Sequence, residues 1–136
     1  MDKATRKRLE EIISNYHNYP KQIKEREDHL LNPHIEEERN VGGGRSNQTG
    51  SPTESDALRL INDECRQDLQ NNYNAVTIAL SQSDKETKEI IKLWYMGQER
   101  LTWWQVAARV GYSRNQSIRK RDDFLVRLHR IIKSVP

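Results

Sequence analysis

Cysteine is all but missing from these 136 residues: Cys65 stands alone. A single thiol closes no internal disulfide and cannot complete a multi-cysteine zinc site, which excludes both staples that small chains use. Long apolar runs are absent as well. No stretch approaches the roughly 18 residues of a membrane span or shows a signal-peptide pattern, and the mean hydropathy is −1.01. The expectation is a soluble, cytoplasmic chain with no membrane partner. Phenylalanine occurs once, and Leu, Ile, Val and Phe together number 29, about 21% of the chain. That share is barely above the roughly 20% below which chains tend to stay disordered. The core is expected to be thin and to rest on helix packing, with self-association as a second source of stability.

Residues for catalysis are also sparse. His17, His29, His34 and His129 are scattered, and none pairs with the cysteine or a carboxylate at a metal-site or triad spacing. His34 beside Glu36, Glu37 and Glu38 reads as a solvated acidic loop rather than a cation site. Gly42-Gly43-Gly44-Arg45-Ser46 lacks the Gly-Lys-Ser/Thr ending of a phosphate-binding loop and follows no predicted strand. The residues from Tyr16 to Tyr19 read as a packing surface. No catalytic, metal or cofactor site is expected, and the chain does not read as an enzyme.

What is present is a lopsided charge. The net charge of +3 hides 14 basic and 18 acidic residues before position 100, against 9 basic and 2 acidic from there on. A basic end of this kind suits a polyanion, while the more neutral remainder does something else. A well-solvated helix face is the plain alternative.

Punctuation divides the chain into four parts. Leu9, Ile12, Ile13 and Tyr16 form a helical stripe over residues 4–16, and Pro20 can open a second helix that Asn32-Pro33 stops. Residues 1–32 are thus an N-terminal helical pair. Residues 33–52 are polar and glycine-rich, a flexible linker spanning roughly 25 Å as a coil. Thr53 is placed to cap one long helix over 53–82, in which Leu58, Ile61, Cys65, Leu69, Tyr73, Val76 and Leu80 recur every three or four positions. Residues 83–136 hold three capping boxes in series: Ser83 with Glu86, Thr102 with Gln105, and Ser113 with Gln116. They open helices over 84–96, 103–110 and 114–133, so the fold class is all-α: a helical pair, a linker, a long central helix and a C-terminal trio.

Residues 102–121 carry the chemistry of a helix-turn-helix. Val106 and Val110 face the core, Ala107 lets the next helix cross closely, and Gly111 supplies a left-handed backbone at the turn. Ser113 then restarts the chain as a basic helix. On it Ile118, Leu125, Leu128 and Ile132 lie on one side with Phe124 and Ile131 beside them, and Gln116, Arg119, Lys120, Arg127 and Arg130 lie broadly opposite. The N-terminal half of such a helix enters a major groove, which makes Arg114, Asn115, Gln116, Arg119 and Lys120 candidates for contacting double-stranded DNA. Arg pairs bidentately with guanine, and Asn or Gln with adenine. Arg127, Arg130 and Lys133 lie further along, where phosphates are the natural partners. Asp122 and Asp123 repel phosphate, so the helix cannot lie flat along the backbone over its whole length. Ser117 and Arg121 fit poorly, because an ideal helix points them to the apolar side. Trp103 is expected in the core and Trp104 exposed.

Several of these residues together resemble a known family. Asn18-Tyr19-Pro20 with the basic helix after it, Gly42-Gly43-Gly44-Arg45-Ser46, Ser51-Pro52-Thr53-Glu54, Leu93-Trp94-Tyr95 and the C-terminal helix-turn-helix resemble the RinA-type phage late transcriptional activators, related to the ArpU-type regulators. The similarity covers nearly the whole chain. Residues 83–133 also look like the promoter-reading fourth region of bacterial sigma factors, through Thr102, Val106, Ala107, Gly111, Ser113, Arg114 and Leu125. They depart from that pattern at Ser117 and Lys120, where aliphatic residues are usual. The resemblance implies activation of late phage genes inside a bacterial host, with RNA polymerase as a partner. Homo-oligomerisation through the N-terminal and central helices is the accompanying expectation. Two alternatives stay open: the DNA-recognition subunit of a phage packaging terminase, and a helical adaptor whose basic end meets an acidic protein.

Overall fold

The computed structural model describes residues 1–31 and 54–135. Every regular element among them is helical: α1 (Lys3–Ser14), a 3-10 turn (Tyr16–Asn18), α2 (Tyr19–Leu31), α3 (Glu54–Asn62), α4 (Glu64–Ser81), α5 (Lys85–Ile91), a π-helical turn (Lys92–Met96), α6 (Trp103–Val110) and α7 (Arg114–Ser134). None of these helices is long and apolar enough to cross a membrane. The expected linker at 33–52, the Asn32-Pro33 stop, the His34 loop and the Thr53 cap lie outside the described residues.

The chain forms two compact units, one of Met1–Tyr19 with Asn71–Pro136, the other of Pro20–Gln70. This departs from the division by punctuation. α1 groups with the C-terminal helices, while α2 from Pro20 onward groups with the second unit.

In the first unit α7 packs against α1, α5 and α6. The stripe read from the sequence explains how α1 arrives there, since Leu9, Ile12 and Ile13 are all buried. Asp2 starts that helix, its Oδ1 accepting the Thr5 N–H at 2.8 Å, and hydrogen bonding to the Thr5 side chain first, then to its N–H, holds the Asp2 carboxyl below its ordinary range. Beyond its end Tyr16 stacks on Tyr73 with ring centroids 5.0 Å apart, and the Tyr16 hydroxyl shares a 2.8 Å hydrogen bond with Thr77 Oγ1. Tyr19 at the start of α2, Ala75, Val76 and Ala79 of α4, Ile90 and Ile91 of α5, and Val106 and Ala107 of α6 complete the buried apolar set with Phe124, Leu125 and Leu128 of α7.

The start of α5 differs by one residue from the expected capping box. Asp84 is the cap, its Oδ1 accepting the Thr87 N–H at 2.7 Å, while Ser83 Oγ donates back to the Ala79 carbonyl at 2.7 Å. A carboxylate at a helix N-terminus adds charge–dipole attraction to the hydrogen bond, which favours it over a neighbouring hydroxyl. The α-helix expected over 84–96 also ends early, at Ile91, and continues as the π turn. Such a turn takes in one residue more than an α-turn and re-aims the side chains that follow.

In the second unit the single helix expected over 53–82 is interrupted. Asp63 separates α3 from α4, its Oδ2 accepting the Arg66 N–H at 2.8 Å and its carbonyl accepting the Gln67 N–H at 3.0 Å. It therefore sits as an N-cap in mid-sequence. Arg26 of α2 clamps the same carboxylate through Nε at 2.9 Å and Nη2 at 2.8 Å, and Arg66 Nε meets Glu27 at 2.7 Å. Apolar burial is slight here. Ile23 is buried, α3 buries nothing, and Leu58 and Ile61 are exposed.

Candidate nucleic-acid interface

Two capping boxes expected from the sequence frame the site. Thr102 Oγ1 accepts the Gln105 N–H at 3.2 Å while Gln105 Oε1 accepts the Thr102 N–H at 2.8 Å, which starts α6. Ser113 Oγ and Gln116 Oε1 do the same for α7, each bond 3.1 Å long. Between the helices Gly111 has φ of 81°, and the N–H groups of Gly111 and Tyr112 both donate to the Ala107 carbonyl, at 2.9 and 3.2 Å. A side chain in that left-handed conformation costs roughly 1–2 kcal/mol, which is why glycine occupies the corner.

The orientation of α7 resolves the misfit seen in the sequence. Its buried residues are Ser117, Arg121, Phe124, Leu125 and Leu128, so the helix is rotated from the expected stripe and Ile118 and Ile132 are only half-buried. Ser117 is tolerated inside because its Oγ donates to the Ser113 carbonyl at 2.9 Å. Arg121 is tolerated through a network. Its Nε donates to Asp122 Oδ1 at 2.7 Å and its Nη1 to the Tyr95 hydroxyl at 3.3 Å, with Glu10 Oε2 3.8 Å away. The Tyr95 hydroxyl in turn donates to Glu10 Oε2 at 2.7 Å, and Arg6 reaches Asp122 at 3.4 Å. Trp103, expected in the core, is half-buried. It stacks on Trp94 with centroids 4.1 Å apart, and the Arg121 guanidinium lies 4.9 Å from its ring.

The predicted contact residues separate into two groups. Asn115, Gln116, Arg119 and Arg130 are exposed, and the rotation of α7 puts Arg119 on the side opposite the buried face. Arg114 is half-buried with its guanidinium 5.8 Å from the ring of Trp104, which is 71% exposed as expected. Lys120 and Arg127 are turned to internal partners. Lys120 Nζ meets Asp84 Oδ2 at 2.8 Å and lies 5.1 Å from the Tyr112 ring. Hydrogen bonding to each other lowers the Asp84 carboxyl and raises the Lys120 ammonium relative to their ordinary values. Arg127 Nη1 donates to Ser83 Oγ at 3.0 Å and to the Gln82 carbonyl at 3.3 Å. Neither tie has a local signal, because their partners are 36 and 44 positions away. The internal role of Arg121 did have one, its place on the apolar side of the wheel.

Fold and site together define an all-helical chain in which a short capped helix, a glycine corner and a long basic helix share one unit. The chain belongs to the DUF722 family, described as a protein of unknown function, whose model matches residues 5–130. No curated protein and no solved structure matches it.

Proposed function

We propose that this chain is a sequence-specific DNA-binding transcriptional regulator that reads a duplex with the N-terminal half of α7. The observation carrying the reading is that Asn115 and Arg119 stand exposed on the first turns of a capped helix docked by its opposite side, while Gln116, also exposed, has its Oε1 engaged in the cap. These side chains have the donor and acceptor patterns that discriminate base edges, and the first acidic residue of the helix is Asp122. Arg130 is about 16 Å further along the helix axis from Arg119 and meets phosphate. Lys120 and Arg127 act first as internal braces, so their part in DNA contact is secondary.

A single recognition helix binds weakly, which favours more than one unit per complex, a homo-oligomer reading paired half-sites. Activation of phage late genes with host RNA polymerase as partner extends the proposal and rests on the sequence resemblance. The activity is binding, without catalysis.

The test is retention of labelled duplex DNA against salt. Affinity should fall steeply, each phosphate contact contributing about 0.9 to the logarithmic slope. Arg119→Ala should weaken binding to a duplex selected by the wild type by about 5–150-fold, the worth of one bidentate base contact, with helix content unchanged. A flat salt response, or undiminished binding by Arg119→Ala, would remove α7 as the reader.

A further inference from the structure

We infer that Trp104 and Arg114 act as one unit, in which the indole holds the Arg114 guanidinium ready for a duplex at the N-terminal end of α7. The inference rests on the DNA-binding reading above and deepens it. Of the three tryptophans, Trp94 and Trp103 stack on each other, whereas Trp104 is 71% exposed. In a chain this poor in apolar residues, a large ring left in water contributes little to folding, so its position calls for another role.

The neighbour of Trp104 suggests that role. Two other cations of α6 and α7 are tied to carboxylates, Arg109 to Glu99 at 3.1 Å and Lys120 to Asp84 at 2.8 Å. Arg114 instead faces a ring, with its guanidinium 5.8 Å from the Trp104 centroid. The difference matters electrostatically. A carboxylate would fix the guanidinium but neutralise it and occupy its N–H edge. An aromatic face restrains the group while leaving its charge uncompensated and its planar fork unspent. A guanidinium restrained in this way loses less rotamer freedom when it binds, and its fork matches either two phosphate oxygens or the O6 and N7 of guanine. Sequence supports the same site, since Arg114 is the first residue of α7 and residues 100–136 carry a balance of +7, complementary to a polyanion.

The experiment uses the full chain and a labelled duplex that the wild type selects from a randomised pool, with a scrambled duplex as the second probe. Trp104→Ala should weaken binding to the selected duplex about 2–5-fold, the worth of an exposed cation–π contact, and Trp104→Phe should recover most of that loss. Arg114→Ala should lose more, and the double variant should bind no more weakly than Arg114→Ala alone, because the indole acts through the guanidinium. A salt slope reduced by about 0.9 in Arg114→Ala marks a phosphate contact. A loss confined to the selected duplex marks guanine. Equal binding by Trp104→Ala and the wild type, or losses that simply add in the double variant, overturn the coupling while the DNA-binding reading stands. Failure of the wild type to retain any duplex overturns both. Because Trp104 is exposed, its single variants should melt with the wild type, and the same melts on the Arg114 variants separate contact from folding.

Discussion

Arg121 is only 7% exposed, and its guanidinium lies among Asp122, Tyr95 and the Trp103 ring with Glu10 nearby. Taking such a group out of water is costly unless its N–H groups and charge are matched. Here two cations, Arg6 and Arg121, share two carboxylates, Glu10 and Asp122. Burial first, and then the hydrogen bond to Glu10, raise the Tyr95 hydroxyl well above its ordinary value, so it stays a donor throughout the working pH range. Removing one member leaves the others mismatched. Arg121→Leu is expected to destabilise the protein by about 2–3 kcal/mol, the scale of lost hydrogen bonds to charged groups, measured by urea unfolding. A variant as stable as the wild type would show that the network contributes nothing net.

Among the elements, α1 departs most from its sequence-based assignment. Its stripe was legible: Leu9, Ile12 and Ile13 are buried as the spacing predicts. Its destination was not, because a helical stripe shows that a face is apolar without naming the surface that covers it. The same contrast runs through the other helices. The boxes at Thr102 and Ser113 could be read because cap and partner are three residues apart. The break at Asp63 had a usable signal, an Asp followed by a glutamate-led helix, but the continuing apolar repeat on both sides outweighed it. The π turn after Ile91 has no such punctuation. For the candidate site, exposure of Gln116 and Arg119 followed from the helix wheel, whereas the ties holding Lys120 and Arg127 depend on distant chain. Ile13 is fully buried, and Ile13→Ala should destabilise the first unit by about 2–5 kcal/mol through lost burial and a residual cavity. Denaturant titration checks this, and a loss under 1 kcal/mol, the cost typical of a surface change, would contradict the packing of α1 described above.

At the scale of the molecule, each unit is tied internally by a carboxylate that acid should release. In the second unit hydrogen bonds from Arg26 above all bring Asp63 down to about 2 from the ordinary 3.8. In the first, the bond from Lys120 leads the lowering of Asp84. A depressed carboxylate stabilises the fold fully above its unfolded value, and this contribution is lost as pH falls through the folded value. The raised Lys120 works in the opposite sense, its share present below the ordinary lysine range and lost as pH rises through the folded value. Stability should therefore hold near neutrality and decline below about pH 4. Asp63→Asn should blunt that acid limb in a pH series of thermal melts, and an unaltered limb would show that the Arg26 clamp is not what acid breaks.

Because the first unit draws on both ends of the described chain, synthesis delivers its halves at different moments. Arg6 and Asp122, bonded in the folded protein, are 116 positions apart, which at about 5–20 residues per second separates their appearance by roughly 6–23 seconds. Until α7 leaves the ribosome, Leu9, Ile12 and Ile13 lack part of the surface that covers them, the rest coming from the π turn, and the nascent chain trails a partly uncovered apolar helix that chaperones can grip. The unit closes only once its last helix has emerged, so a message cut short before α7 yields a chain lacking Phe124, Leu125 and Leu128 from that core.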